Sequence, residues 1–222
     1  MIPTRLMPLG RGGKRLPDAE VEYLESTGTQ WIDTGLVHDG TFRWECDAAI
    51  TQTSNVNRYL GQTFNTGGLS PRFAFGLNAK GTWYCGIGNT NNPSPSVAGD
   101  TSRHIFTVDA PGKVFKVDGA FVYAIDWTAF VLPATTYGGL ALFGRKLIDT
   151  GSIAPYAAMR IWSSKHYTNG VLVRDFIPVR IGSEGCLYDR RGVGGMDPDG
   201  SARNDGIYRN RGTGAFLYGN DI

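Results

Sequence analysis

The acidic residues best placed for catalysis are Glu45 and Asp47, which flank Cys46 in a segment of alternating polarity. Residues two apart on a β-strand point to the same face, so the two carboxylates are predicted to lie side by side. Glycoside hydrolysis uses such a pair, because one acid donates a proton while the other attacks or stabilises the sugar. Ala49 occupies the next position on this face, where a third acid would stand. We therefore predict a solvated outer strand face and no catalytic residue.

A second acidic cluster, near the end of the chain, resembles a calcium-binding loop. Asp197 and Asp199 alternate with other residues, and Asn204 and Asp205 follow them. Calcium takes six or more oxygen ligands, often including a distal bidentate glutamate. That glutamate is missing here, and Pro198 interrupts the loop. The sequence therefore predicts a polar turn and no bound metal.

Adjacent aromatic residues are the best candidates for a binding site. Sugars stack their apolar faces on aromatic rings while nearby polar groups bind the hydroxyls. Trp83 and Tyr84 are neighbours on one predicted strand, so one ring is expected to point away from the core. The candidate carbohydrate-binding residues are Trp83, Tyr84, Asn89, Tyr123 and Trp127. The alternative is that these rings pack in the core, as most aromatic side chains do.

The remaining reactive side chains show no pattern typical of a metal or cofactor site. Three histidines have no zinc-ligand spacing, and the glycine-rich run 192–195 lacks the lysine and helix of a phosphate-binding loop. We predict no cofactor. Three cysteines lie far apart without a C-x-x-C motif, and we expect reduced, mostly buried thiols rather than a catalytic Cys–His pair. They are Cys46, Cys85 and Cys186.

Composition restricts the class of protein. The chain has 222 residues, of which 41% are hydrophobic, so it is long enough to bury a core and is not disordered. It lacks an apolar stretch of membrane-spanning length and a standard secretory signal, so we expect no membrane contact. Of its 22 lysines and arginines, four lie in residues 1–15, which leaves 18 against 20 acids in the body. Four positive charges outside a folded nucleic-acid-binding domain bind nucleic acid only weakly, so we expect no nucleic-acid partner.

Short alternating segments recur about every ten residues, separated by glycine-rich turns. The Asp118-Gly119 and Asn169-Gly170 pairs are typical of tight hairpins. No window shows a sustained helical period. The pattern predicts an all-β protein, an antiparallel sandwich of two sheets with six or seven strands each. We see no linker that would divide the body into two domains.

Two long motifs resemble a known family. The segment LPDAEVEYLESTGTQWIDTG (16–35) is similar to the opening EYIESTGTQYIDTG of a bacterial and phage domain. NGVLVRDFIPVRIGSEGCLYD (169–189) and the tail YRNRGTGAF (208–216) resemble its closing signature. That domain belongs to the concanavalin A-like lectin/glucanase group, related to laminin-G-like jelly rolls. The chain departs from it in a longer loop at 190–207. Enzymes of this fold use an E-x-D-x-E set, which Ala49 breaks.

The resemblance implies a jelly roll at 16–222, preceded by a basic arm at 1–15. Members of this family resemble phage virion proteins, prophage products and bacterial surface proteins. We therefore expect a non-enzymatic structural protein of the virion, on the head or the tail, with glycans as a further ligand. The alternatives are a bacterial carbohydrate-binding adhesin at the cell surface and a glycoside hydrolase.

The arm is the predicted assembly element. It combines bases and apolar residues without an acid, so it can dock on a neighbouring chain of a homo-oligomeric assembly or on another virion protein. An isolated segment of this kind cannot bury enough surface to fold by itself. Its predicted contact residues are Arg5, Leu6, Met7, Leu9, Arg11, Lys14 and Arg15.

Overall fold

Strands dominate the computed structural model of this protein, which describes residues 16–36, 40–52, 58–63, 72–88, 97–124, 140–147 and 153–222. Within those ranges there is no helix, and hence none that could cross a membrane. The described strands are β1 Ala19–Glu20, β2 Leu24–Ser26, β3 Ile32–Asp33, β4 Phe42–Ile50, β5 Arg58–Thr63, β6 Arg72–Leu77, β7 Trp83–Gly88, β8 His104–Asp109, β9 Val114–Val117, β10 Ala120–Ala124, β11 Ala141–Leu142, β12 Gly144–Leu147, β13 Ile153–Tyr156, β14 Met159–Thr168, β15 Val171–Ile181, β16 Glu184–Asp189, β17 Ile207–Tyr208 and β18 Leu217–Tyr218.

The strands form two sheets. The larger sheet has the order β10-β9-β8-β4-β14-β15-β16-β17, with β1 beside β15, β2 beside β14 and β18 beside β2. The smaller sheet has the order β13-β12-β5-β11-β3, and β6 and β7 extend it from β5. Every described pair is antiparallel except β5 with β12. The all-β sandwich is confirmed, but the expectation of six or seven strands per sheet is wrong for the larger sheet. It has eleven described strands, because segments of only two or three residues pair with the long ones.

Tight turns join the long strands where the sequence indicates them. Asp118 and Gly119 have φ values of 52° and 77° between β9 and β10, and Asn169 and Gly170 have 51° and 74° between β14 and β15. Two successive residues in the left-handed region match the right-handed twist of the flanking strands. Both predicted hairpins are therefore present.

The core lies between the two sheets and is rich in aromatic rings. Trp44 of β4 meets Phe75 of β6 edge-to-face at a centroid distance of 4.5 Å. Trp83 of β7 meets Phe106 of β8 at 5.1 Å in the same manner. Because alternate residues of β4 face this core, the intervening polar residues lie on the outer face of the larger sheet.

The two ends of the folded chain are bound to each other by residues 29–33 and 210–215, which we call the terminal clasp. Thr29 Oγ1 donates to the carbonyl of Thr213 at 2.9 Å, and the Thr213 amide donates back to Thr29 at 3.1 Å. Further bonds run from Gln30 Nε2 to Ala215 O, from the Arg211 amide to Trp31 O, and from the Trp31 amide to Asn210 Oδ1. The clasp thus joins the opening motif to the closing tail.

A buried charge cluster reinforces the terminal clasp. The Asp33 carboxylate accepts from the Lys146 ammonium and, at 3.0 Å, from Arg211. The side chains of Asp33 and Lys146 are only 3% and 4% exposed. The Arg211 guanidinium also lies 5.0 Å from the ring centroid of Trp31. Removing one partner of a buried pair leaves the other charge uncompensated, so the cluster holds the tail on the smaller sheet.

We predict that Gly212→Ala destabilises the protein by about 1–3 kcal/mol, because it overpacks the terminal clasp. A Cβ at this position would lie 1.9 Å from the Thr29 carbonyl oxygen, a backbone atom that cannot move without breaking the clasp. Urea unfolding measures the change. Thr213→Ala, a neighbouring truncation of an exposed side chain, should change the free energy of unfolding by less than about 0.5 kcal/mol. Equal losses in the two variants would contradict the steric explanation.

Candidate functional site

Two of the aromatic residues predicted to bind sugars, Trp83 and Tyr84, are buried. Trp83 is 3% exposed and Tyr84 is 7% exposed, so neither ring offers a free face for stacking. Trp83 belongs to the main core cluster and Tyr84 does not, but Tyr84 is covered all the same. Strand alternation determines the direction of a side chain, but it does not determine what covers it. Asn89 and Trp127 lie outside the described residues, and the side chain of Tyr123 does too.

The predicted pair of outer-face acids is present but bound. Asp47 receives two hydrogen bonds from Arg103, Nε to Oδ1 and an NH2 group to Oδ2, each at 2.7 Å. Glu45 pairs with Arg43, and Tyr167 donates to its second oxygen at 3.3 Å. Each carboxylate therefore binds a guanidinium on the strand surface, as a structural cross-link does.

The reactive residues of the core are inaccessible. Ser164 Oγ lies 2.9 Å from His166 Nε2, which is the distance of a nucleophile and its base, but both side chains are completely buried. Trp44 Nε1 donates to the same hydroxyl at 2.8 Å. Burial raises the pKa of the neighbouring Cys46 thiol well above its ordinary value, so it stays protonated. The prediction of reduced, mostly buried thiols is confirmed, since all three cysteines are buried and none forms a disulfide.

The acidic loop near 197–205 is held by arginines. Asp197 and Asp205 both pair with Arg203, at 3.0 and 2.7 Å. Asp199 accepts from the amide and hydroxyl of Ser201 at 2.8 and 2.6 Å. These contacts explain the acidic residues as turn-forming groups, and no metal-ligating cluster occurs within the described ranges. The loop is therefore a polar turn, as the sequence indicates.

A concave groove on the outer face of the larger sheet is the best candidate site. It encloses about 410 Å³ where β1, β4, β14 and β15 approach one another. We call it the Trp162 groove. Its lining residues are Glu20, Val21, Glu22, Asp47, Arg103, Trp162, Ser163, Ile177, Pro178, Arg190 and Ile222. A volume of this size admits a saccharide or a short peptide segment.

Trp162 forms the wall of the groove nearest β4. The Arg103 guanidinium lies 4.5 Å from its ring centroid, and the Tyr23 ring lies at 5.6 Å with a tilt of 58°. Arg103 thus stacks on Trp162 while it pairs with Asp47. Stacking and pairing together fix this arginine more firmly than a lone surface ion pair would.

The same arrangement of arginine, ring and carboxylate occurs twice more on this face. Arg160 lies 4.6 Å from the Tyr23 ring centroid and donates to Glu25 at 2.7 Å. Arg43 lies 4.7 Å from the Tyr167 ring centroid and pairs with Glu45. The outer face therefore carries three arginines that each stack on an aromatic ring and pair with a carboxylate.

The opposite wall of the groove is less tightly paired. Glu20 reaches Arg190 at 3.4 Å, and both side chains are substantially exposed. Glu22 accepts only a 3.4 Å bond from the Asn220 amide and has no cationic partner within the described part of the chain. This wall thus presents acidic groups that remain open to a further cation.

Sequence reasoning missed the Trp162 groove, although one signal points to it. In β14 the apolar positions Met159 and Ile161 face the core, so Trp162 falls on the solvent-facing parity. A tryptophan at that position indicates an exposed ring. The other lining residues come from segments distant in the chain, and only the fold brings them together.

Comparison with known proteins does not identify a family for this chain. No family model matches the sequence, and neither the curated proteins nor the solved structures include a match.

His104 links two loops beside the buried Trp83. Its Nδ1 lies 2.6 Å from an Asp118 oxygen, and its Nε2 lies 2.9 Å from an Asp100 oxygen. Partial burial lowers the pKa of His104, but the bonds to Asp118 and Asp100 outweigh that effect and raise the pKa above its ordinary 6.5. The folded state therefore favours the charged imidazole.

We predict that this contribution to stability is complete below pH 6.5 and is lost as the pH rises through the raised pKa of His104. Urea unfolding of the wild type and of His104→Gln over pH 5.5–9 checks it. The stability difference between the two proteins should shrink as the pH rises. Asp100→Asn, which removes one of the two carboxylates, should show a weaker pH dependence than the wild type. A difference that stays constant with pH would contradict the prediction.

Proposed function

We propose that this chain is a non-enzymatic structural protein of a phage particle, folded as a concanavalin A-like jelly roll. The resemblance of the two end motifs to that family supports the proposal. The two-sheet sandwich is compatible with it, and the terminal clasp joins the opening motif to the closing tail. The three buried thiols suit folding in the reducing cytoplasm of a bacterial host before the particle forms.

The observation that carries the non-enzymatic part is the pairing of the outer-face acids. A glycosidase needs one carboxyl group that donates a proton and another that is free to attack or stabilise the sugar. Both oxygens of Asp47 are bound by Arg103, and Glu45 is bound by Arg43 and Tyr167. These acids are bound by side chains of the protein itself, which supports a structural role.

The assembly role is assigned to the basic arm at residues 1–15, which lies outside the described residues. A basic and apolar segment in front of a folded module can bind a neighbouring chain without changing the module. In this proposal the sandwich is a repeated unit, on the head or the tail of the particle, and the arm connects it to other virion proteins or to further copies.

Two alternatives remain distinct from this proposal. A bacterial surface adhesin would need an exposed glycan site, and such a site would have to use rings other than Trp83 and Tyr84, because these are buried. A glycoside hydrolase would need unpaired acids. A glycan array tests the first alternative, and release of reducing sugar tests the second.

We predict that neither the wild type nor the variants Glu45→Gln and Asp47→Asn release reducing sugar from bacterial or mucin polysaccharides. The variants remove a charge from each arginine pair without changing the shape of the side chain. Because exposed pairs contribute about 0–1 kcal/mol, both variants should still fold. Cleavage by the wild type that disappears in either variant would establish an enzyme and reject the proposal.

We predict that deletion of residues 1–15 abolishes incorporation into the particle while the melting temperature stays nearly unchanged. All described strands lie after this segment, so the sandwich loses none of them. Mass spectrometry of purified particles from a complemented deletion phage measures incorporation, with the full-length chain as the control. Full occupancy by the truncated protein would place the anchor on the sandwich itself.

A further inference from the structure

The weakly paired acids of the Trp162 groove indicate a cationic partner. Glu22 has no cationic partner within the described part of the chain, and Glu20 is held by Arg190 only at 3.4 Å. Both residues line the groove. An incoming base can therefore pair with Glu22, and can compete for Glu20, without breaking the two-bond pair of Asp47 and Arg103.

The same groove offers apolar contacts beside these acids. Val21, Ile177 and Pro178 line it but are themselves buried, so the half-buried Trp162 offers more apolar surface to a partner. At the rim, the side chain of Ile222 is 77% exposed. A partner that fits this surface combines basic groups with aliphatic side chains over a few residues.

The basic arm of this chain has that composition. Residues 1–15 contain four bases and no acid, with aliphatic residues interspersed; the relevant side chains are Arg5, Leu6, Met7, Leu9, Arg11, Lys14 and Arg15. Fully extended, fifteen residues span at most about 50 Å, which is enough to reach the groove of a neighbouring molecule.

The direction of β1 favours the arm of another copy over the arm of the same copy. The Val21 amide donates to Pro178 O at the groove, whereas Asp18, three residues earlier, bonds Arg180 O and the Gly182 amide. Traced backwards, the chain thus moves along β15 away from the groove. An arm that continues in this direction leaves its own groove behind.

We propose that the Trp162 groove of one copy binds the basic arm of a second copy of this chain. Bases of the arm pair with Glu20 and Glu22, and an aliphatic side chain packs against Trp162 and the exposed Ile222. The interaction is heterologous, so each copy presents one arm and one groove, and successive copies can form a ring or a row. This inference rests on the proposed assembly role of the arm and adds where the arm binds.

Complementation between two full-length variants tests the proposal. The groove variant carries Glu20→Lys and Glu22→Lys and keeps its arm. The arm variant keeps its groove and carries Arg5→Glu, Arg11→Glu, Lys14→Glu and Arg15→Glu. Each variant alone should self-associate at least about tenfold more weakly than the wild type in sedimentation velocity, because its only arm and groove carry like charges.

A mixture of the two variants should regain association, since the normal arm of one meets the normal groove of the other. The remaining arm is acidic and the remaining groove is basic, so this second contact is attractive as well and the mixture should not stop at a pair. Asp199→Lys, a charge reversal at one acid outside the groove with half the total charge change of the groove variant, should associate as the wild type does. Raising the salt concentration should weaken the wild-type association.

Several results would overturn the proposal. The first is a wild type that stays monomeric up to about 1 mM, a concentration at which even weak association is visible. The second is a pair of variants that associate as strongly as the wild type does. The third is a mixture of the two variants that stays monomeric. Glycan binding that is lost in the groove variant while self-association is unchanged would assign the groove to a sugar instead. Melting curves of both variants show whether each is folded, and Glu22→Gln replaces the groove variant if it is not. Particle incorporation that needs the arm but not Glu20 and Glu22 would reject this docking site while leaving the proposed function intact.

Discussion

The structure depends on the terminal clasp between residues 29–33 and 210–215. These segments are separated by most of the chain, so bringing them together costs loop-closure entropy that only a well-satisfied contact can offset. The clasp supplies paired backbone bonds and the buried carboxylate of Asp33, which binds Lys146 and Arg211. Gly212 permits this closeness, because any side chain there would collide with the Thr29 carbonyl. The neighbouring strands at both chain ends are positioned by the same contact.

On the outer face of the larger sheet, arginines neutralise the acidic side chains. In the units around Trp162, Tyr23 and Tyr167, the guanidinium lies over a ring while it binds a carboxylate. One exposed ion pair contributes little, but a ring restricts the arginine and lowers the entropy lost on pairing. The ion pairs of this face consequently stabilise the sheet. Glu20 and Glu22 are the weakly paired acids, and their negative charge can still bind a cationic group.

The described site differs from the one that the residue pattern favours. Adjacent aromatic residues such as Trp83 and Tyr84 suggest a sugar platform, yet both are covered. Trp162 stands on the solvent-facing parity of β14 and helps form a groove. The difference arises because period-two alternation assigns a side chain to one of two faces, whereas the packing of other segments on that face decides whether it meets water.

The sequence by itself determined the all-β class, the hairpins at Asp118-Gly119 and Asn169-Gly170, and the burial of the cysteines. These features depend on local chemistry, since alternation and left-handed turn residues act within a few positions. Only the tertiary structure decided that the opening motif binds the closing tail and that Glu45 and Asp47 are bound by arginines. It also decided that distant segments form the Trp162 groove. Such contacts join residues far apart in the chain, and no local periodicity encodes which of them will meet.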